Sequence, residues 1–256
     1  MLITIKTKEE IEILKQGGRI LADVLEEISG LTKIGISTGF LNQRAREMIL
    51  AGGAEPSFEG YRSNFSAKPY PSAICASPNE VVVHGVPSEE VILKDGDILK
   101  LDIGVKYKNL FTDAAVTISI GKITDEQNKL INATKRALES AIIEVKPGNC
   151  IGDIGYAIEN CAKQNGLAVV KSLIGHGVGY AVHEEPNVPN YGKKGEGPVL
   201  KTGMVLAIEP MFTLGSDQVR ESKNGFGYET VDGSLSAHFE HTVAVTDDGC
   251  LVLTKL

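Results

Sequence analysis

Apolar residues recur at helical spacing along the first part of the chain, at Ile11, Ile13, Leu14, Ile20, Leu21, Val24, Leu25 and Ile28, the stripe expected of a helix with one buried face. Thr7-Lys8-Glu9-Glu10 ahead of them is a capping box: the threonine hydroxyl accepts from an otherwise unpaired amide, and Glu10 reaches back. The pattern predicts a helix from Thr7 to about Gly30. A second helix is expected from about Thr38 to the glycine stop Gly52-Gly53. Residues 54–72, rich in Pro, Ser and Tyr, read as irregular. Strand-like runs follow around 73–76, 81–84, 98–106 and 110–120.

The pattern then restarts. Thr124-Asp125-Glu126-Gln127 is another capping box, opening a helix to about Val145 with Pro147-Gly148 as its stop. A further helix is expected from about Gly152 to Gln164, stopped by Gly166, with strand-like stretches near 168–174, 204–213, 237–246 and 250–254. Two helices followed by a group of strands, twice over, is a repeat of architecture. It predicts a single α+β domain over 1–256 with pseudo-repeats of roughly 7–121 and 124–256.

Short alignments tie the two halves together. The run Leu93–Asp102 lines up with Leu200–Glu209, so that Asp102 falls opposite Glu209. Phe111-Thr112-Asp113 resembles Phe239-Glu240, placing Asp113 near Glu240, and His84-Gly85-Val86 is echoed by His176-Gly177-Val178. Asp102 and Asp113 lie on strands joined by a turn at about 106–109, a hairpin in which side chains on one face come within ~5 Å. A second acidic strand pair facing the first would bring four carboxylates together inside a sheet.

Four buried carboxylates need compensation, because desolvation costs several kcal/mol per charge and repulsion adds to it. Protons or cations must supply it. With His176 present and His183 nearby, a metal cluster accounts for more than a protonated dyad does. One imidazole with several carboxylates suits Mn, Fe, Co or Zn and is too oxygen-rich for a structural zinc. Bridging carboxylates allow two ions, which together activate water for hydrolysis. Singly, each residue has a plainer reading: an aspartate that caps a turn, a Glu209-Pro210 that ends a strand, a His84 that is an ordinary imidazole. Their pairing across the halves favours the metal.

Composition narrows the class. A length of 256 residues supports one large core, and 42% hydrophobic with 23% charged residues is wrong for disorder. The net charge of -7 argues against a nucleic-acid groove. No apolar run approaches the ~20 residues of a membrane span, and the Lys- and Glu-rich start lacks a signal-peptide core, so the cytoplasm is the expected compartment. Cys75, Cys150, Cys161 and Cys250 form no CxxC pair or disulfide spacing, which fits a reducing environment.

The stretches that carry these residues resemble the type I methionine aminopeptidases. They are Asn79–Pro87, Leu101–Gly104, Thr112-Asp113, Gly175–Gly179 with His183-Glu184-Glu185-Pro186, Ile208–Met211 and Ser234–Thr242, and the likeness runs over essentially the whole chain. The resemblance implies the pita-bread fold: duplicated halves around a central antiparallel sheet covered by helices, in the short form that starts almost at the catalytic domain. It implies two divalent ions, Co, Mn, Fe or Zn, held by Asp102, Asp113, His176, Glu209 and Glu240, with Asp113 and Glu240 bridging. A metal-bridged water would attack the scissile carbonyl and Glu209 would pass its proton to the leaving amine. His183 would donate to the carbonyl oxygen and His84 would position the substrate. The implied substrates are nascent proteins and peptides with N-terminal Met and a small second residue, met by a monomer in transient association with the ribosome.

The methionine pocket departs from the family's pattern. Tyr70, Cys75 and Phe226 stand at pocket-lining positions, beside His84 and His183. Val182 stands where an aromatic residue is common and Phe226 where Trp is frequent; Asn64 and Ala67 replace bulkier or sulfur-bearing residues. A roomier pocket is expected, worth ~1–3 kcal/mol in selectivity. Asn79, Val81 and Ser236 resemble a monovalent-cation site. The competing readings are a proline-specific aminopeptidase or dipeptidase, which generally carries a further N-terminal domain, a metal-free binding module, and a purely structural protein. Five competent ligand positions disfavour the module, and the motifs supply no basic partners for the structural reading.

Overall fold

The structure, a computed structural model, describes residues 2–62 and 68–255. The first helix, α1 (Lys8–Leu31), starts at its capping box: the Glu10 amide donates to Thr7 Oγ1 at 3.2 Å and the Thr7 amide to Glu10 Oε2 at 2.8 Å. Ser37 caps α2 (Thr38–Ala51), which ends at Gly52. The segment expected to be irregular contains a two-residue strand, β1 (Glu55–Pro56); Asn64 and Ala67 lie outside the described residues. Then come β2 (Ile74–Pro78), β3 (Val81–Val83), β4 (Ile98–Tyr107) and β5 (Leu110–Ser119). The hairpin of β4 and β5 turns on Lys108 and Asn109, both with positive φ, as a two-residue hairpin loop requires.

In the second half, Thr124 and Gln127 complete a capping box at the head of α3 (Asp125–Ile143), and α4 (Ile151–Asn165) ends on left-handed Gly166. The strands differ more from expectation. The stretch at 168–174 yields only β6 (Ala168–Val169), whereas the Gly-His-Gly segment is itself a strand, β7 (Gly175–Gly177), followed by β8 (Glu184–Val188). The run expected at 204–213 divides into β9 (Val205–Ile208) and β10 (Met211–Thr213), because Pro210 has no N–H to give a ladder. Beyond β11 (Val219–Glu221) and β12 (Tyr228–Thr230), the run at 237–246 divides at Phe239 into β13 (Ser236–His238) and β14 (Glu240–Thr246). The last strand is β15 (Gly249–Val252).

The main sheet runs β1-β4-β5-β14-β9-β7-β8, with β2 on β4 and β15 on β14. Its middle pair, β5 and β14, joins the two halves antiparallel. Helices cover one face. Leu21, Ile28, Leu41 and Ile49 of α1 and α2 pack with Leu99, Leu101 and Ile103 of β4. Leu130, Leu138, Ile154 and Ile158 of α3 and α4 pack with Leu206, Ile208 and Val243. Strand alternation then turns Asp102 to the other face. The register sets Cys75, Asp102, Ala115 and Glu240 in one row across β2, β4, β5 and β14. Asp113 pairs with Gly104, not with Asp102, so the two aspartates are diagonal neighbours on one face, their side chains in contact.

Candidate metal centre

The acids meet where the halves join. Donor atoms of Asp113, His176 and Glu240 all lie within 4.8 Å of one another. Ala115 stands between Asp102 and Glu240 in the row, and its small side chain leaves the space between them open. His176 in β7 pairs with Ala207, two residues before Glu209 and on the same face, and its Nε2 lies 3.5 Å from Glu209 Oε1. Glycine on either side permits that approach: a Cβ at Gly175 would overlap the carbonyl of Ala207, and one at Gly177 the carbonyl of Glu185. His176 Nδ1 lies 2.9 Å from the Gly177 carbonyl, so Nδ1 carries the proton and the Nε2 lone pair faces the acids. Asp113 is pinned to β14, its amide donating to Thr242 Oγ1 at 2.8 Å and its carbonyl accepting from that hydroxyl at 2.7 Å.

Electrostatics then define what the cluster lacks. Asp102, Asp113 and Glu240 are buried and the Glu209 side chain nearly so. The ion-pair partners of Glu209 and Glu240 among the described residues are imidazoles. With only the protein's own groups present, burial pushes Asp102 up to about 7. Burial, helped by neighbouring negative charge, also raises Asp113, Glu209 and Glu240 well above the usual carboxylate range. Burial brings His176 down to about 3. Asp102 Oδ1, Asp113 Oδ1 and Glu240 Oε1 have no hydrogen-bond partner among the described residues, a condition native proteins rarely leave unanswered. Cations between these oxygens would supply the missing partners, and the donor set of carboxylate oxygen and imidazole nitrogen fits a divalent transition metal.

The sequence model of metallopeptidase family M24 matches residues 12–247. The chain belongs to metallopeptidase family M24. It is similar to the methionine aminopeptidase of Aquifex aeolicus at 43% identity and to methionine aminopeptidase 1 of Bacillus subtilis at 42%, each covering 100% of both chains. Among solved structures, the methionine aminopeptidase of Thermotoga maritima matches with a TM-score of 0.95 at 39% identity over 100% of both chains. An Xaa-Pro dipeptidase of Bacillus anthracis matches with a TM-score of 0.77 at 24% identity, over 98% of this chain and 62% of its own, and shares the fold. The pita-bread architecture is that of the family, and divalent-metal binding comes with it.

Beside this M24 centre is an apolar cluster of Phe58, Tyr70, Cys75 and Val182, joined by Tyr61 and the half-buried Phe226. The cluster abuts the acids because Cys75 is the register partner of Asp102. The Tyr70 hydroxyl lies 2.9 Å from the Gly85 carbonyl and 3.2 Å from that of Ile74, and its ring meets Phe226 edge-on at 5.6 Å. His84 follows β3 with φ of +58°, an uncommon conformation for a non-glycine residue. Its ring lies edge-on to Tyr228 at 6.0 Å, and burial lowers it to about 4. His183 stands at the exposed rim, its ring centre 4.4 Å from that of His176 and its Nδ1 2.8 Å from the Tyr61 hydroxyl. The next residue, Glu184, is fixed by a buried ion pair to Lys6 and by the Tyr180 amide.

The structure thus brings the five expected ligands, the two histidines and the three pocket residues to one side of the sheet, and adds residues that sequence reasoning passed over. Tyr61 and Phe58 lie in the stretch read as irregular. His238 Nε2 lies 3.6 Å from Glu209 Oε2 and 4.0 Å from Glu240 Oε2; its spacing of two from Glu240 was the available signal. Lys100, buried, bears on the cation site. Its Nζ donates to the Asn79 carbonyl at 2.6 Å, which also accepts from the Ser236 amide and hydroxyl at 3.1 Å each. The Asn79 carbonyl, expected with Val81 and Ser236 to face a monovalent cation, accepts in this structure from the buried Lys100 side chain.

Proposed function

We propose that this M24 metallopeptidase removes the N-terminal methionine from peptides and newly made proteins whose second residue is small. The observation that carries the reading is the convergence of buried, unpartnered carboxylate oxygens and an imidazole at the wall of an apolar cluster. The similarity to methionine aminopeptidases over the full chain supports it. Asp102, Asp113, His176, Glu209 and Glu240 are the residues that would hold two divalent ions drawn from Co, Mn, Fe and Zn. When bound, such ions lower the pKa of water and polarise a carbonyl.

The chain's own groups do the rest. A Glu209 carboxylate oxygen takes up the proton released by the attacking water and gives it to the leaving amine. The Tyr61 hydroxyl lies 2.8 Å from Nδ1 of His183; in the tautomer in which that hydroxyl donates, the ring proton sits on Nε2, from which it donates to the scissile carbonyl oxygen as negative charge develops there. His84, neutral and held off its usual backbone conformation, positions the substrate. Tyr70, Cys75 and Phe226 receive the methionine side chain; a thioether contacts aromatic rings favourably. On this reading the protein acts as a monomer in the cytoplasm, on chains emerging at the ribosome. No helix among the described residues is long and apolar enough to cross a membrane.

The test is hydrolysis of Met-Ala-Ser and of a proline-containing peptide, each with and without chelator. Release of methionine from Met-Ala-Ser, abolished by chelator and restored by Mn, Co or Fe, is expected. Cleavage only before proline, or turnover indifferent to chelator, contradicts the reading.

A further inference from the structure

His238 is 1% exposed, and neither ring nitrogen has a hydrogen-bond partner among the described residues. An imidazole so placed is costly unless something answers its polar atoms. Its backbone is clamped: the amide donates to Thr117 Oγ1 at 2.9 Å, the carbonyl accepts from that hydroxyl at 2.6 Å, and the residue pairs with Met211 just beyond Glu209-Pro210. The ring is thereby fixed between the two glutamates of the second half.

Each of those glutamates turns Oε2 toward His238 Nε2, at 3.6 Å and 4.0 Å. Glu209 Oε1 instead faces His176, and Glu240 Oε1 is unpartnered among the described residues. A neutral imidazole carries one N–H and one lone pair. A lone pair aimed at two carboxylate oxygens would repel both, so the proton belongs on Nε2. The separations exceed a hydrogen bond, as catalytic contacts often do before ligands are in place.

We propose that His238 is a positioning residue for the metal centre: its Nε2–H restrains the Oε2 atoms of Glu209 and Glu240 and so presents their Oε1 atoms to the ions. The proposal rests on the metal-dependent reading above, but its readouts do not require turnover. In the parent protein, nitrogen-15 NMR of the histidine rings, with zinc as a diamagnetic occupant, should show His238 Nε2 protonated. His238→Gln, which keeps an N–H donor, should bind Co(II) with near-parent affinity and an unchanged ligand-field spectrum. His238→Leu should bind Co(II) about 10–100-fold more weakly, with kcat falling and KM little altered. An unprotonated Nε2, a His238→Gln spectrum that has lost a nitrogen ligand, or a folded His238→Leu protein with parent Co(II) affinity would each overturn it. If His238→Leu does not fold, the ring NMR and His238→Gln decide the matter. Failure of the parent to cleave Met-Ala-Ser would defeat the aminopeptidase reading and leave these measurements to stand alone.

Discussion

At the scale of single residues, His176 has one job that no neighbour can take over. It offers a neutral lone pair toward buried acids while its other nitrogen is engaged by the Gly177 carbonyl. His176→Ala should lose about 100-fold or more of kcat/KM while its circular dichroism matches the parent; unchanged turnover would remove it from the mechanism. Phe226 meets Tyr70 edge-on in the apolar cluster proposed to receive the methionine side chain. Phe226→Ala should raise KM for Met-Ala-Ser about tenfold with a smaller change in kcat, since it removes contact with the side chain and not with the reacting atoms. The converging acids were legible in the sequence because each half supplies a matching one. His238 and Tyr61 were not: one imidazole beside a known motif looks ordinary, and Tyr61 meets His183 across 122 positions of chain.

At the scale of elements, the helices could be read almost to the residue, because capping boxes and glycine stops are local chemistry. The strands of the second half could not. Whether an apolar run stays in one sheet depends on what pairs with it, and Glu209-Pro210 and Phe239 send β10 and β13 into a separate sheet. Gly-His-Gly has no β-branched residue to announce a strand, yet β7 forms because β8 and β9 supply its partners. The pairing of β5 with β14 is reinforced by one hydroxyl that both accepts from the Asp113 amide and donates to its carbonyl. Thr242→Val preserves shape but leaves those two buried groups short of a partner. It should cost about 1–3 kcal/mol in urea denaturation and weaken metal binding; a variant as stable as the parent would mean that the halves are held by the rest of the sheet.

At the scale of the whole molecule, the pairing of β5 with β14 brings acids from both halves together, and metal binding there would be coupled to protons. Burial holds Asp102 protonated to about pH 7, and Asp113, Glu209 and Glu240 are also raised well above the usual carboxylate range. Ions bind the carboxylates only after those protons leave, so binding releases protons and apparent affinity rises with pH. Calorimetric titration of Co(II) at pH 6.5 into chelator-treated protein, in buffers of different ionisation enthalpy, should register net proton release that shrinks above pH 7 as Asp102 ionises unaided. No proton release at pH 6.5 would mean that the acids are already ionised.

The central claim is that Asp102, Asp113, His176, Glu209 and Glu240 enclose divalent ions. A crystal soaked in Mn(II), with anomalous difference maps collected on both sides of the manganese edge, tests it most directly. The account predicts edge-dependent peaks bounded by those five side chains; peaks confined to the surface, with the five left bare at saturating manganese, would contradict it.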